Sequence, residues 1–360
     1  MSTAFDPVTV GGRTLANRIV MSPMTRSRAF GPGATPTELM ATYYAQRASA
    51  GLIITEGIQP SFVGQGYPDT PGLHSEAQVQ EWAKITAAVH ENGGLIFAQL
   101  MHSGRIGHSS LYAEPMNPVG PSPVAAKGSS YTHDGPKDLP TPRELTAADI
   151  AETIADFVSA ARNAIAAGFD GVELHGANGY LLHQFLSTNA NLRDDEWGGS
   201  VESRIRLTVE VARAVVDAIG ADRTGLRISP ANPINDIVED DYQATYPALL
   251  AALNPLGLAF LHVLESADLE LTAQLRAQWN GTFLLNPATP GSFTGLDQLR
   301  LIEDGAADLL SFGALFLANP DLPARLAVGG PFNAPDFSTA FGGDAHGFTD
   351  YPTLDEAAAA

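Results

Sequence analysis

The sequence predicts an α/β protein with the (β/α)8 architecture of a TIM barrel, and three observations support this. Short apolar, β-rich runs alternate with helical patterns along nearly the whole chain. Most of these runs are continuously apolar, which is typical of parallel strands buried on both faces. Polar residues follow the runs in every part of the chain, and barrel enzymes place their chemistry at the carboxyl ends of their strands. A doubly wound open sheet, the alternative, would concentrate them at one switch point.

The alternation predicts eight strands, and two of the helices between them have clear end signals. The clearest helix begins after Thr146, where Thr-Ala-Ala-Asp resembles a capping box, and it ends at Gly168. A second helix runs from about Val201 to Ile219 and ends at Gly220. The predicted strands are Arg18–Met24, Leu52–Gly57, Leu95–Met101, Gly171–His175, Gly225–Ser229, Phe260–Leu264, Thr282–Asn286 and Leu309–Gly313.

The stretch 103–142 interrupts this alternation. It is rich in Gly, Pro and Ser and has weak periodicity. A loop of this length in a compact enzyme is usually a lid or a binding subdomain. We therefore predict a single catalytic barrel domain over residues 1–354, with a lid or insertion at 103–142 after the third strand and a disordered tail at 355–360.

Composition narrows the classes of function. The formal charge of −20 argues against a nucleic-acid partner, because phosphate backbones require Lys and Arg. The chain lacks cysteine, which excludes disulfides, thiolate metal ligands and a Cys nucleophile. The histidines show no metal-ligand spacing, so no metal is expected. The chain contains neither an apolar run of membrane-spanning length nor a signal-peptide pattern at its start, so we expect a cytoplasmic enzyme without a membrane partner.

The segment 171–185, GVELHGANGYLLHQF, carries the most chemical information. A buried strand ends at His175, and Asn178 and Tyr180 follow within a turn. An imidazole beside a carboxamide can donate two hydrogen bonds to one carbonyl oxygen and stabilise charge that develops there. A nearby phenol can supply a proton to the adjacent carbon. A single histidine at a strand end is more often satisfied by the backbone, but the three residues together favour a catalytic site.

This segment resembles the signature of the Old Yellow Enzyme family of flavin-dependent ene-reductases, and the similarity covers nearly the whole chain. Several long motifs in the right order are a far more specific signal than one short pattern. The supporting stretches include NRIVMSPMTR (17–26), YYAQRASAG (43–51), AQLMHSGR (98–105), WGGSVESR (197–204), ANPDL (318–322) and TDYP (349–352). The resemblance implies an FMN cofactor, NADPH or NADH as reductant, and hydride transfer to the β-carbon of an α,β-unsaturated carbonyl or nitro compound.

The resemblance also implies a role for each matching residue. His175 and Asn178 would bind the substrate carbonyl, and Tyr180 would protonate the α-carbon. Arg227 would lie where negative charge grows on the reduced flavin, which is how a protein tunes such a cofactor. The other residues implied at the flavin are Pro23, Met24, Thr25, Gly57, Gln99, Asn286, Ala288, Phe312, Gly313 and Ala314, and those implied in the substrate pocket are Tyr67, Met101 and Phe341. Taken singly, Arg227 could be an ion-pair residue, Gln99 a core amide and Thr25 an ordinary strand residue.

The phosphate end departs from the family pattern. Ala314 stands where the family usually has Arg or Lys, and LNPATPGS (285–292) replaces a glycine-rich turn. The loss of a charge-assisted contact costs about 1.5–3 kcal/mol, unless Arg325 or the N–H groups of the turn at 289–294 compensate. A 5-deazaflavin of the coenzyme F-420 type, whose phosphodiester carries one charge, is therefore an alternative cofactor.

Two further departures concern the pocket, and two rival functions remain open. Met101 replaces an aromatic residue and Phe341 a tyrosine, so we expect a more flexible and less polar pocket. The first rival is a barrel lyase or aldolase, although no lysine lies at a strand end. The second is a non-catalytic flavin- or phenol-binding barrel, since phenols commonly bind between the His/Asn pair in proteins of this type. The expected partner is a small activated alkene, bound by a monomer or a homodimer.

Overall fold

The computed structural model describes residues 2–112 and 116–359. Within these ranges the strands are β1 (Val8–Val10), β2 (Arg13–Leu15), β3 (Ile19–Met21), β4 (Leu52–Ile58), β5 (Ile96–Leu100), β6 (Val119–Gly120), β7 (Ser129–Thr132), β8 (Gly135–Asp138), β9 (Arg143–Glu144), β10 (Gly171–Gly176), β11 (Thr224–Ile228), β12 (Phe260–Leu264), β13 (Thr282–Asn286) and β14 (Leu309–Phe312). The helices are α1 (Glu38–Ala45), α2 (Glu76–Glu91), α3 (Ala147–Ala166), α4 (Leu181–Leu186), α5 (Val201–Ile219), α6 (Tyr242–Leu253), α7 (Leu269–Gln278), α8 (Arg300–Glu303), α9 (Ala314–Ala318), α10 (Leu322–Val328) and α11 (Leu354–Ala359).

Eight parallel strands close into a barrel, which confirms the predicted (β/α)8 architecture. The order is β3, β4, β5, β10, β11, β12, β13 and β14, and β14 pairs with β3 to close the ring. The first barrel strand is shorter than predicted and ends at Met21. The N–H of Ser22 still donates to the carbonyl of Phe312 at 3.0 Å, but Pro23 has no N–H to continue the ladder.

The two helices predicted from sequence form with the predicted ends. In α3 the side chain of Thr146 accepts from the N–H of Asp149, and the Asp149 carboxylate accepts from the N–H of Thr146 at 2.8 Å. This reciprocal pair is the expected capping box. Gly168 and Gly220, which follow α3 and α5, both have positive φ angles, of 87° and 97°. The glycine stop signals were therefore interpreted correctly.

An amino-terminal hairpin that was not predicted closes the bottom of the barrel. Strands β1 and β2 pair antiparallel around Gly11 and Gly12, whose φ angles of 52° and 73° suit a two-residue hairpin turn. Val10 and Leu15 of the hairpin pack into one apolar cluster with residues near the amino ends of the barrel strands, among them Phe97. Because this end is sealed, access to the barrel interior lies at the carboxyl ends of the strands.

The insertion between β5 and α3 contains more regular structure than the predicted loop. Strands β7 and β8 form an antiparallel hairpin, and β6 pairs in parallel with β9. The residues 113–115 of this insertion lie outside the described part of the chain. The hairpin carries Tyr131, whose side chain is 68% exposed and borders the cleft described below.

Residues 354–359 are helical, whereas disorder was predicted for the tail at 355–360. Helix α11 spans Leu354–Ala359. The Thr353 hydroxyl and N–H both donate to the Glu356 carboxylate at 2.8 Å, and the N–H of Leu354 donates to Asp321 at 2.6 Å. These contacts cap the helix and tie it to the start of α10, which explains the correction. No helix in the described ranges is both long and apolar enough to cross a membrane.

Candidate active site

The register of the barrel brings the predicted polar residues to one rim. His175 of β10 is the register partner of Arg227 of β11, and Gln99 of β5 is the register partner of both Gly57 and Glu173. All lie near the carboxyl ends of adjacent strands. Since parallel neighbours in register end at the same level, side chains from distant parts of the chain meet over the barrel interior.

A chain of buried hydrogen bonds crosses the barrel below this rim. Gln99 donates from Nε2 to Glu173 at 2.8 Å, and the other Glu173 oxygen lies 2.7 Å from Nδ1 of His262. Nε2 of His262 lies 2.9 Å from the Ser311 hydroxyl. Burial, together with the positive charge of Arg227, lowers the pKa of His262 to about 4. The network therefore holds the Gln99 amide in one orientation, and the sequence analysis had not identified Glu173, His262 or Ser311.

Arg227 is a buried cation with donors that the protein does not use. Its side chain is 4% exposed, and Nη2 donates to Oδ1 of Asn286 at 3.1 Å. Its Nε and Nη1 have no partner within the described residues. Burial lowers the pKa of the guanidinium. A buried donor without a partner costs free energy, so these two atoms fit a ligand that carries acceptor oxygen or negative charge.

The turn after β10 presents His175, Asn178 and Tyr180 together. The rings of His175 and Tyr180 have centroids 5.1 Å apart. Asn178 adopts a left-handed conformation with φ of 56°. Its N–H donates to the Ser229 hydroxyl at 2.8 Å, and its carbonyl accepts from the Asn235 amide at 2.7 Å. Nδ1 of His175 and Oδ1 of Asn178 are buried and make no hydrogen bond in the described structure.

Burial sets the protonation of the imidazole and the phenol. It lowers the pKa of His175 well below 6.5, and the positive charge of Arg227 adds to this effect. Burial also raises the pKa of Tyr180 well above 10, and the neighbouring Tyr67 contributes. His175 is therefore a neutral hydrogen-bond donor at physiological pH, and Tyr180 keeps the proton that a general acid needs.

A cleft of about 760 Å³ opens beside these residues. The hydroxyls of Tyr67 and Tyr180 lie 3.0 Å apart, with the two rings edge to face. Phe341 is 70% exposed and lies at the rim. The lining is mainly apolar and includes the predicted residues Met24, Thr25, Tyr67, Tyr180 and Phe341, together with Asp69, Tyr131, Leu317 and Phe337. The space suits an apolar small molecule whose polar end faces the tyrosine pair.

Met101, predicted in the substrate pocket, lies buried against Gly57. It is 3% exposed and is not among the residues that line the cleft. A Cβ atom on Gly57 would lie 2.5 Å from its sulfur. Because glycine has no Cβ atom, Gly57 leaves room for the Met101 side chain at the end of β4. Pro23, by contrast, is half-buried at the end of the first barrel strand, next to the cleft-lining Met24 and Thr25.

A carboxylate lies at the predicted phosphate end. The N–H of Ala288, after β13, donates to the Glu265 carboxylate at 2.9 Å. Phe312 is buried at the end of β14, and Gly313 and Ala314 follow it at the start of α9. Arg325 cannot compensate for Ala314. Its guanidinium is buried and donates to Asp321, to the carbonyl of Pro331 and to the carbonyl of Pro352.

Three residues beside the turn were missed by the sequence analysis as parts of the site. Ser229 and Asn235 hold the backbone of Asn178, and the Nδ1 atom of His183 accepts from the N–H of Gly179 at 3.0 Å. Ser229 had a detectable signal, because it ends the predicted fifth strand two residues after Arg227. Asn235 and His183 lie in a loop and in a short helix, and their spacing carries no signal of its own.

Comparison with known proteins agrees with this geometry. The model of the NADH:flavin oxidoreductase / NADH oxidase family matches residues 3–333. A probable flavin mononucleotide-dependent alkene reductase of Leishmania infantum is 42% identical over 358 residues, which cover 97% of this chain and 96% of that protein. The 12-oxophytodienoate reductase 1 of Oryza sativa subsp. japonica is 40% identical over 363 residues, which cover 97% and 93% of the two chains.

Two solved structures share the whole architecture. An old yellow enzyme homologue from Zymomonas mobilis superimposes with a TM-score of 0.94 at 40% identity, over 98% of this chain and 100% of that chain. Morphinone reductase in complex with tetrahydroNAD superimposes with a TM-score of 0.93 at 38% identity, over 99% of each chain. The similarity therefore extends over the barrel, its insertion and the carboxyl-terminal segment.

Proposed function

The chain belongs to the NADH:flavin oxidoreductase / NADH oxidase family, and on this premise we propose that it is an FMN-dependent ene-reductase. Its reaction is the reduction of the C=C bond of an α,β-unsaturated carbonyl or nitro compound. The relatives whose names state an activity are a flavin mononucleotide-dependent alkene reductase and 12-oxophytodienoate reductases. NADH or NADPH is the proposed reductant, and the superposition on morphinone reductase with tetrahydroNAD supports it.

One observation supports the site assignment more than any other. Three buried nitrogen atoms at the ends of two adjacent strands have no hydrogen-bond acceptor in the described structure: Nε and Nη1 of Arg227 and Nδ1 of His175. Native proteins rarely leave such groups unsatisfied. A flavin ring with carbonyl oxygens and a substrate carbonyl would supply what these atoms lack. The ring end of the site therefore fits FMN.

The proposed contacts follow from the positions of the residues. Arg227, the Gln99 amide held by Glu173, and the backbone of Gly57 would hold the polar edge of the ring, and Thr25 would donate to its other side. Pro23 and Met24 would pack against its face. Asn286, Ala288, Phe312, Gly313 and Ala314 lie where the ribityl phosphate would end, and there the backbone N–H groups at the start of α9 are the proposed donors. When bound, FMN supplies the hydride that reduces the alkene.

The residues of the chain itself do the remaining work. The neutral imidazole of His175 and the carboxamide of Asn178 donate to the carbonyl or nitro oxygen, and they stabilise the negative charge that develops there. Tyr180 protonates the α-carbon, because burial keeps its hydroxyl protonated. Tyr67 donates to or accepts from the Tyr180 hydroxyl at 3.0 Å and so orients it. The apolar cleft excludes water from the reacting atoms.

The remaining features are assigned as part of the same proposal. The insertion at 103–142 acts as a lid, which is supported by the position of Tyr131 at the cleft. Phe341 is the proposed outer wall of the substrate pocket, and Met101, which lies against Gly57, remains a proposed pocket residue. We place the enzyme in the cytoplasm, as the lack of cysteine allows, as a monomer or a homodimer. Gel filtration with light scattering decides between the two oligomeric states.

The purified protein tests the proposal directly. We expect a yellow protein that releases one FMN per chain on denaturation, as identified by mass spectrometry. Anaerobic reduction with NADH or NADPH should bleach the spectrum, and 2-cyclohexenone should restore it. A protein that binds FMN and gives a charge-transfer band with phenol, yet is not reoxidised by any enone or nitroalkene, would instead be the non-catalytic flavin- and phenol-binding barrel.

A deazaflavin of the coenzyme F-420 type is the second candidate cofactor for the same reaction. The Glu265 carboxylate at the N–H of Ala288, and Ala314 in place of a cation, favour a ligand with less negative charge at this end. The comparisons give it no support. Release of a 5-deazaflavin instead of FMN, or catalysis only when the reduced deazaflavin is added, would establish this alternative, and one FMN per chain would exclude it.

A further inference from the structure

A buried polar cluster lies directly below the turn that carries Asn178, and the chemistry proposed above does not use it. The cluster consists of His183 of α4, Glu239 of the loop after β11, and Tyr246 of α6. His183 and Tyr246 are 0% exposed and Glu239 is 8% exposed. The Tyr246 hydroxyl donates to Oε1 of Glu239 at 2.8 Å, and Nε2 of His183 lies 3.2 Å from both Oε2 of Glu239 and the Tyr246 hydroxyl. We call it the His183 cluster.

The other ring nitrogen of His183 contacts the catalytic turn. Nδ1 accepts from the N–H of Gly179 at 3.0 Å, and the Ser229 hydroxyl, which accepts from the N–H of Asn178 at 2.8 Å, lies 3.5 Å from the same nitrogen. An acceptor at Nδ1 requires that the ring carries its proton on Nε2, which faces Glu239. Glu239 and Tyr246 therefore select the tautomer that the turn needs.

The loops held by this cluster are strained. Asn178, Ala231 and Asn235 all have positive φ angles, of 56°, 56° and 61°, and such conformations persist in non-glycine residues only where the surroundings fix them. Glu239 accepts from the N–H of Ala231 at 2.9 Å, and Asn235 donates to the carbonyl of Asn178 at 2.7 Å. One cluster thus fixes both the turn after β10 and the loop after β11.

We propose that His183 is a positioning residue, which fixes the 178–179 turn so that the Asn178 carboxamide is aligned with the His175 imidazole on one substrate oxygen. Glu239 and Tyr246 orient the His183 ring for this task. The proposal rests on the function proposed above, because the oxygen belongs to the substrate or to a phenol bound in its place. It assigns to the cluster an effect on carbonyl binding in addition to its contribution to stability.

Two substitutions of His183 separate positioning from simple core packing. In His183→Asn the side-chain oxygen occupies the place of Nδ1 and keeps the acceptor for the N–H of Gly179. In His183→Leu the volume is largely kept but the acceptor is lost, and the N–H of Gly179 is left without a partner. Each holoprotein is titrated with phenol by the charge-transfer band, and the reduced form is mixed anaerobically with 2-cyclohexenone.

The expected results differ between the variants. His183→Leu should raise the dissociation constant of phenol and lower kcat/KM for 2-cyclohexenone by about tenfold each, which is the effect of one lost buried hydrogen bond on the alignment. His183→Asn should restore both to within about threefold of wild type. Reoxidation by oxygen, which needs no carbonyl site, should change little in either variant. Ser229→Ala, which removes the acceptor of the Asn178 N–H, gives a second variant with the same expected direction if His183→Leu does not fold.

Different results would contradict the positioning role of His183 and the proposed function. Phenol affinity and enone reoxidation equal to wild type in His183→Leu, or in Ser229→Ala where the former does not fold, would overturn the positioning role. The role is equally overturned if His183→Asn is as impaired as His183→Leu, because the acceptor would then not matter. If the wild-type holoprotein itself shows neither a phenol band nor reoxidation by the enone, the proposed function fails, and the positioning role falls with it.

Discussion

At the scale of single residues, burial determines the protonation state of the imidazole and the phenol in the site. His175 and Tyr180 lie in the same buried site, yet burial moves their pKa values in opposite directions, because it disfavours the charged form of each. The result is an uncharged imidazole and a protonated phenol over the whole physiological range.

The first prediction concerns pH. Since the pKa of His175 lies well below 6.5 and that of Tyr180 well above 10, neither group titrates between these values. We expect the rate constant for reoxidation of the reduced enzyme by 2-cyclohexenone to be flat over this range. The measurement should be repeated in Glu56→Gln, because the pKa of the nearby buried Glu56 lies at about 7. An inflection near 6.5 that persists in Glu56→Gln and disappears in His175→Ala would contradict the assignment.

The second prediction concerns the proton donor. Tyr180→Phe keeps the ring but removes the proton, so reoxidation by 2-cyclohexenone should slow by about 100-fold or more, the usual contribution of a general acid. Reoxidation by oxygen or a quinone needs no proton on carbon and should change little. Stopped-flow mixing of the reduced variant with each oxidant measures both rates. Equal slowing with every oxidant would mean that Tyr180 acts on the cofactor instead.

Some residues of the candidate site had a clear sequence signal because they lie at the carboxyl ends of strands. His175, Gln99 and Arg227 lie at the ends of continuous apolar runs, so strand register alone brings them together. Asn235 and His183 could not be predicted, because their positions depend on how a strained loop and a short helix pack against the turn. The contact of Met101 with Gly57 could not be predicted either, because it depends on the direction of the Met101 side chain.

At the scale of elements, the start of α9 is the proposed binding place of the cofactor phosphate. The family pattern has a cation at the position of Ala314, and the guanidinium of Arg325, the candidate replacement, already donates to Asp321, Pro331 and Pro352. The backbone N–H groups at the start of α9 remain as donors, and the helix dipole adds partial positive charge there. The Glu265 carboxylate, which accepts from the N–H of Ala288, adds negative charge near the proposed phosphate site. We therefore expect FMN to be held mainly through its ring.

The third prediction tests this element. Ala314→Arg should lower the dissociation constant of FMN by about tenfold or more, because it restores a charge-assisted contact to the phosphate. Ala314→Gln, of similar length but uncharged, is the matched control and should change it much less. Titration of the apoprotein by flavin fluorescence gives the constants. Riboflavin lacks the phosphate, so an equal gain in riboflavin affinity would show that the new side chain does not act on the phosphate.

Element prediction succeeded where the signal was local. Thr146 and Gly168 mark the ends of α3 by capping chemistry, and Gly220 ends α5 in the same way. The β1–β2 hairpin was missed although Gly11-Gly12 between two β-rich runs is a hairpin signal. The tail at 355–360 was predicted to be disordered. Thr353 and Glu356 nevertheless supply the cap, and Asp321 supplies a distant contact that no local pattern reveals.

At the scale of the whole molecule, a buried carboxyl group links stability to pH. Glu56, beside Gly57 in β4, accepts from the Tyr44 hydroxyl at 3.3 Å and from the N–H of Arg26 at 3.4 Å. Burial raises its pKa from 4.5 to about 7, against the opposing effect of Arg26 and Arg28. The folded state therefore binds this proton more tightly than the unfolded chain does.

The fourth prediction follows from the sign of that shift. The stability that protonated Glu56 contributes is fully present below about pH 4.5 and is lost as the pH rises through about 7. The free energy of unfolding of wild type should therefore fall relative to that of Glu56→Gln between pH 5 and 8, by on the order of a few kcal/mol. Urea unfolding of both proteins at each pH measures the difference. A difference that stays constant or grows with pH would contradict the assigned shift.

The closed barrel brings residues from separate strands to one rim, and the proposed chemistry depends on this arrangement. The most direct test is to remove the carbonyl-binding pair, His175→Ala with Asn178→Ala, and to mix the reduced holoprotein anaerobically with 2-cyclohexenone. The rate constant should fall by at least about 100-fold, with the flavin still bound and its reoxidation by oxygen unchanged. An unchanged rate with the enone, or loss of the flavin from the double variant, would contradict the assignment of this pair to the substrate.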